Sequence, residues 1–129
     1  MNARILISIL LAATLQAGET VETELAQLQR AMKSAASQQA MNDASGELAK
    51  YWDRMLEKEE AKILASCDAE REMLFRAAQK SWREFRLAET ILNGNEYRGG
   101  SIQLLIHNSV FASLTEQRVK ELRAMSEQK

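Results

Sequence analysis

Few residues of this chain have side chains suited to catalysis. His107 is the only histidine, so a Ser-His-Asp or Cys-His arrangement would need it as the base, and its neighbours Ile106 and Asn108 offer it no partner. Cys67, followed by Asp68, is the only cysteine and is typical of a packed small apolar side chain, although a free thiol could form an intermolecular disulfide. No metal-ligand spacing, phosphate-binding glycine loop or catalytic serine elbow occurs. The sequence therefore predicts a protein that is not an enzyme and needs no metal or cofactor.

A candidate binding segment lies before the last predicted helix and consists of Tyr97, Arg98, Gly99, Gly100 and Ser101. Tyrosine and arginine dominate binding hot spots, and glycines leave backbone donors open to a partner. Alternatively, the double glycine merely turns the chain into the last helix. Both interpretations stay open, and the first predicts contact with a protein partner.

A dense aromatic and basic segment runs from Gln79 to Arg86. Trp82 and Phe85 are expected on the inward face of a helix, where they would bury large apolar areas. Arg86 follows Trp82 by four residues, so its guanidinium can stack on the indole or reach a carboxylate. We favour a core helix over a binding patch for this segment.

The chain has no proline, five glycines and 46% hydrophobic content, which predicts an all-α fold. Helices must therefore position the residues described above. The apolar pattern indicates a small bundle of three to four helices with a Gly-Gly-Ser loop before the last one. The predicted helices cover 19–41, 47–67, 69–92 and 101–126, with a stop or a kink at 42–46. The middle two could be continuous, Asp68 could cap the third, and the last could break near 113. The apolar seam of the third helix is predicted at Leu74, Ala78, Ser81, Phe85, Ala88 and Leu92. The predicted core comprises Leu74, Trp82, Phe85, Leu105 and Leu122.

The N-terminal residues have the layout of a secretory signal peptide. One positive residue, Arg4, precedes an apolar run over 5–13, and a small residue stands at Ala17. A membrane span needs about 20 apolar residues, which favours cleavage over anchoring. We predict a signal peptide at 1–17, a single domain at 18–129 and a periplasmic location without a stable membrane anchor. The charges nearly cancel, 17 Lys+Arg against 18 Asp+Glu, so nothing favours nucleic acid as a partner.

Three segments carry a resemblance to a known family: AQKSWREFR at 78–86, YRGGSIQL at 97–104 and LTEQRVKEL at 114–122. In this order and spacing they resemble the LprI-type lysozyme-inhibitor family of small exported bacterial helical proteins. The family pattern is an alanine-glutamine-x-x-tryptophan helix ending in arginine, a glycine-glycine-serine loop and a threonine-x-x-arginine helix. The resemblance implies a structural motif at Gln79, Trp82, Phe85, Arg86, Thr115 and Arg118.

Several positions depart from that family pattern. The family normally carries cysteines where this chain has Ala44, Thr90 and Val110, so the resemblance describes a member without disulfides. Leu87 follows Arg86 where an aspartate is usual. Upstream, 53–56 resembles the family's aspartate and leucine positions, but Glu57 stands where asparagine is usual and Glu60 where tyrosine is usual. The run of charge around these two residues otherwise has the pattern of a solvated helix face.

Two functional hypotheses follow. The first is an exported protein that blocks a lysozyme-like cell-wall hydrolase by protein contact, with an immunity protein against a cell-wall-degrading toxin as a variant. The second is a helical structural or interaction module of the envelope, which includes self-association. A shared fold does not by itself decide between them.

Overall fold

The structure, a computed structural model, describes residues 23–128. These residues form four α-helices and no strand, which confirms the predicted all-α class. The helices are α1 (23–34), α2 (Gln38–Leu64), α3 (Ala69–Gly94) and α4 (Gln103–Glu127), and a 3-10 helix at Asn95–Tyr97 follows α3. The signal peptide predicted at 1–17 lies outside the described residues. None of the helices within 23–128 is long and apolar enough to cross a membrane.

The described residues divide into two compact units, 23–34 and 35–128. The first contains α1, along which Leu25, Leu28 and Met32 recur at helical spacing. The second contains the three long helices α2, α3 and α4 and holds all the predicted site residues.

The predicted helix stop at 42–46 is wrong. The chain breaks earlier, at 35–37, where the side chain of Ser37 accepts a hydrogen bond from the backbone N–H of Ala40 at 3.1 Å and caps α2. Asn42 and Ser45 remain helical because their side chains find partners: Asn42 Oδ1 accepts from Gln38, and Ser45 Oγ donates to the carbonyl of Asn42. Polar residues that are satisfied inside a helix do not end it.

The apolar core lies mainly between α2 and α4. Leu56 on α2 is fully buried, as are Val119, Thr115 and Leu122 on α4. Trp52 packs in the same core, 4% exposed, with its ring 5.2 Å from that of Tyr51 in an edge-on arrangement. Of the predicted core residues only Leu122 is buried in full, while Trp82 and Leu105 are half-buried.

Cross-helix contacts define how the helices run. The Asn108 side chain on α4 reaches Ser45 on α2, and farther along both helices Arg123 reaches Glu59, so α4 runs parallel to α2. The α3 helix is antiparallel to both, because its early residue Gln79 meets late residues of the other two. The α4 helix packs against α2 and α3, which contact each other much less closely.

The predicted seam of α3 is wrong by one residue. Leu74 is 59% and Phe85 50% exposed, and the remaining seam positions are exposed as well. The buried side of α3 instead carries Phe75, Gln79 and Arg86. Periodicity assigns the apolar stripe to the interior, but in α3 the interior stripe is largely polar and satisfied by partners on α2 and α4. As predicted, Asp68 caps α3, accepting from the backbone N–H of Arg71 at 2.8 Å.

The last helix is continuous through residue 113, so the single-helix alternative is the correct one. It begins at Gln103, two residues after the predicted start at 101, and Ile102 occupies the cap position without a side-chain hydrogen bond. Residues 98–102 form the turn that separates α4 from the 3-10 helix.

Candidate functional site

Arg86 is a buried cation, 8% exposed, that joins all three helices. Its Nη1 donates to Oδ1 of Asp53 on α2 at 2.8 Å and to Oγ1 of Thr115 on α4 at 2.9 Å. Its guanidinium carbon lies 4.8 Å from the ring centroid of Trp82 and 3.8 Å from that of Phe111. The positive charge is thus held between two aromatic rings while its N–H groups bind oxygen acceptors.

Gln79 forms a second link two helical turns earlier on α3. Its Nε2 donates to Oε1 of Glu60 on α2 at 2.5 Å, and its Oε1 accepts from Nε of Arg118 on α4 at 2.8 Å. Arg83 closes the cluster through an ion pair to Glu60 at 2.7 Å. A primary amide suits this position because it donates to one helix and accepts from another.

The pKa values of Glu60 and Arg83 in this cluster are shifted. Burial raises the pKa of Glu60, but hydrogen bonds from Arg83 and Gln79 and the positive charges of Arg83 and Arg86 outweigh it, so the pKa lies below its usual range. The hydrogen bond with Glu60 raises the pKa of Arg83. Both groups therefore stay charged at neutral pH and hold the α2–α3 contact.

The structure brings together five of the six motif residues: Gln79, Trp82, Arg86, Thr115 and Arg118. Phe85, the sixth, lies apart from them on the exposed side of α3, so its predicted inward position is wrong. Leu87, which replaces the usual aspartate, is 61% exposed, and Arg86 finds its carboxylate on Asp53 instead. The motif therefore joins the three helices rather than forming an open surface.

Two carboxylates that were expected on a solvated helix face, Glu59 and Glu60, instead take part in contacts between the helices. Glu59 is 4% exposed and pairs with Lys62 at 3.2 Å and with Arg123 at 3.1 Å. Glu60 is half-buried in the Gln79 cluster. A hydrophobic pattern gives no sign of this burial, because Arg123, Gln79 and Arg83 lie on other helices.

The segment from Tyr97 to Ser101 is exposed throughout, with Tyr97 at 41%. Gly99 has φ +81°, a left-handed conformation that favours glycine, and a Cβ there would meet open space. The backbone N–H of Gly100 donates to the carbonyl of Tyr97 at 3.0 Å and closes the turn. Asn42 Nδ2 donates to the carbonyl of Ser101 at 3.1 Å and ties the turn to α2. We call residues 97–101 the GGS turn.

Arg98 is the second residue of the GGS turn. Its backbone N–H donates to the carbonyl of Asn95 at 3.3 Å, which fixes its main chain at the end of the 3-10 helix. Its guanidinium makes no hydrogen bond or ion pair with any residue between 23 and 128, so its donors face solvent. The turn therefore presents one cation next to one aromatic ring.

A cleft of about 320 Å³ opens between the helices near the same end of the bundle. Lys50 and Asp53 line it from α2, Thr90 from α3, and His107 and Phe111 from α4. Asp53 lines this cleft and also binds Arg86, so the cleft lies next to the contacts that Arg86 makes between the helices.

His107 packs against the end of α3. A Cβ at Gly94 would overlap its imidazole ring, so only glycine permits this approach. No hydrogen bond or ion pair connects the ring to another residue of the described part of the chain. Within that same part, no three His, Cys, Asp or Glu residues are grouped so as to hold a metal ion. Cys67 is a free thiol whose Sγ lies 3.2 Å from the carbonyl of Ile63.

These features define a small helical protein whose apolar core is flanked by polar links between the helices and whose exposed turn carries an aromatic ring and a cation, a combination typical of protein-binding surfaces. The sequence profile of the family described as "Lysozyme inhibitor LprI" matches residues 29–122. The chain therefore belongs to the LprI lysozyme-inhibitor family, as its three motifs suggested. No curated protein and no solved structure matches the chain.

Proposed function

We propose that this protein is an exported inhibitor that inserts its GGS turn into the cleft of a lysozyme-like cell-wall hydrolase. The observation that carries the proposal is the exposed turn, which lies at one end of a compact three-helix unit in a chain of a lysozyme-inhibitor family. Tyr97 supplies an apolar ring and Arg98 a cation at the surface that would enter the cleft.

Anchoring of the turn lowers the entropy cost of binding. The hydrogen bonds from Asn42 to Ser101 and from Gly100 to Tyr97 hold its two ends before a partner arrives. A loop whose backbone is ordered in advance loses less conformational freedom on association. The turn therefore suits insertion into a preformed groove.

Arg98 matches the chemistry of a glycosidase cleft. Glycoside hydrolases of the usual kind hold two carboxylic residues on either side of the scissile bond. A guanidinium can donate two parallel hydrogen bonds to one such carboxylate, and low dielectric in a closed cleft strengthens the pair. Occupation of either carboxylate would halt turnover, because one donates the proton and the other attacks the sugar or activates water.

Export places the protein where such hydrolases act. The layout of 1–17 supports a cleaved signal peptide, which would leave a single domain at 18–129 in the periplasm, without a stable membrane anchor. Mass spectrometry of the protein from a periplasmic extract tests this directly, because cleavage after Ala17 gives a mature chain that begins at Gly18. A chain that keeps Met1 would contradict the proposal of export.

Inhibition is tested by titrating the protein into turnover assays with lysozymes of several types. We expect saturable inhibition by the natural chain and at least a tenfold loss for Arg98→Glu, about 1.4 kcal/mol or more. Arg71→Glu on α3 is the matched control, since Arg71 is exposed, lies far along the chain from the turn and changes the net charge equally. Equal inhibition by both variants would remove Arg98 from the contact, and no inhibition of any lysozyme would overturn the proposed function.

A further inference from the structure

The outer face of α3 is an apolar surface without a partner among the described residues. It comprises the seam positions, which recur at spacings of four and three. These are Leu74, Ala78, Ser81, Phe85, Ala88 and Leu92. Further apolar side chains lie beside them, and the large apolar side chains of this face are 50–66% exposed. The large ones are Met73, Leu74, Phe85, Leu87, Ile91 and Leu92. Contiguous apolar patches of this kind on a monomer mark contact sites.

We infer that this face pairs with the same face of a second copy of the chain, with the two α3 helices antiparallel about residue 83. Spacings of four and three are those of a helix that packs along one partner helix. The seam positions are spaced symmetrically about residue 83, and most of the residues at matching distances are alike. A two-fold interface requires such a surface, because the same patch contacts itself. The inference does not depend on lysozyme inhibition, because it uses a different surface.

The antiparallel register pairs side chains of compatible size. Leu74 lies opposite Leu92 of the second copy, and Ala78 lies opposite Ala88, where two small residues let the helices approach closely. Phe85 lies opposite Ser81, so the largest side chain of the seam meets a small one. Large against small and leucine against leucine are the combinations that fill a helix interface without voids.

Charge favours the antiparallel orientation over the parallel one. In the antiparallel pair, Glu84 of each copy lies within one turn of Lys80 of the other, and the four charges cancel near the two-fold axis. A parallel pair would set Lys80 against Lys80 and Glu84 against Glu84. Antiparallel helices also place opposite ends of their dipoles side by side.

The size of the face predicts a weak dimer. From residue 74 to residue 92 a helix rises about 27 Å, and it is about 10 Å wide. That strip is smaller than the roughly 800 Å² per partner of a standard stable interface. We therefore expect dissociation in the micromolar range, with a monomer at high dilution.

Sedimentation of the full chain over a range from low micromolar to millimolar concentration tests the inference. We expect a monomer–dimer equilibrium for the natural chain and a monomer throughout for Phe85→Glu. Leu104→Glu is the matched control, because Leu104 is 52% exposed, close to the 50% of Phe85, but lies on α4 outside the seam. Circular dichroism checks that both variants keep their helices. A natural chain that is monomeric at every concentration overturns the inference, as does equal weakening by the two variants.

Disulfide trapping tests the register without weakening the face. In a Cys67→Ser background, Ala78→Cys and Ala88→Cys chains are each oxidised alone and then as a mixture. We expect a cross-linked dimer chiefly in the mixture, because residue 78 of one copy faces residue 88 of the other. Stronger self-linking of either single variant than of the mixture would exclude the antiparallel register.

Discussion

Replacement of Arg86 by methionine separates the charge of this residue from its bulk. Methionine is unbranched, like the stem of arginine, and can lie between Trp82 and Phe111, so the packing between the rings is largely kept. The hydrogen bonds to Asp53 and Thr115 are lost. Neither acceptor is left stranded: the Asp53 side chain is 40% exposed and can be hydrated, and Thr115 Oγ1 still donates to the carbonyl of Phe111 at 2.6 Å.

The expected loss in unfolding free energy follows from these contacts. A hydrogen bond to a charged group contributes about 1.5–3 kcal/mol, and half-exposure of Asp53 reduces its share to about 1 kcal/mol. Stacking of the cation on two rings adds about 1–2 kcal/mol. Release of a buried charge offsets part of the total. We expect Arg86→Met to destabilise the protein by about 2 kcal/mol, which lowers Tm by roughly 10 °C for a domain of this size.

Urea unfolding of the natural chain, Arg86→Met, Asp53→Asn and the double variant measures both the loss and the coupling. We expect a coupling energy of about 1 kcal/mol between residues 53 and 86, within the range for residues in direct contact. Arg86→Lys should recover little, because an ammonium cannot stack as a planar group does. An Arg86→Met chain as stable as the natural one would refute the reasoning, and so would full recovery by lysine.

Three further predictions concern other parts of the fold. Gly94→Ala should destabilise the chain by about 1–3 kcal/mol through overlap with the His107 ring. Thermal unfolding of the double variant should show that His107→Ala relieves part of that loss. Strictly additive effects of the two substitutions on stability would contradict the contact. Gly99→Ala should cost about 1 kcal/mol at its positive φ, and Gly99→Asn less; equal thermal stability of both with the natural chain would argue against the left-handed turn. The pKa of Glu60 is lowered in the folded state, so its stabilising effect is present above its unfolded pKa of about 4.3 and is lost as the pH falls through the lower folded value. In urea unfolding, the loss of unfolding free energy caused by Glu60→Gln should therefore shrink over that acidic range. A loss that grows as the pH falls would contradict the lowered pKa.

Helical composition and family motifs were sufficient to predict the fold class and to select most of the residues that join the helices. Arg86 was expected to stack on Trp82 or reach a carboxylate, and it does both. Asp68 was expected to begin the third helix, and it caps α3. Such local expectations succeed because helix caps and pairs four residues apart are decided within one or two turns.

The direction in which α3 faces could not be predicted from its periodicity. The rule that the apolar stripe points inward assigns Leu74 and Phe85 to the core. Gln79 and Arg86 occupy the interior because carboxylates on α2 and a hydroxyl and a guanidinium on α4 satisfy them, and those partners stand 19 to 39 residues away in the chain. Only the packed structure brings such partners together.

The parallel pairing of α2 and α4 has a consequence for the order of folding. Contacts such as Ser45 with Asn108 and Glu59 with Arg123 join residues 63 and 64 positions apart. Their formation must await closure of a long loop that contains the whole of α3, which slows folding relative to local contacts. The apolar core is therefore absent until the last helix has emerged.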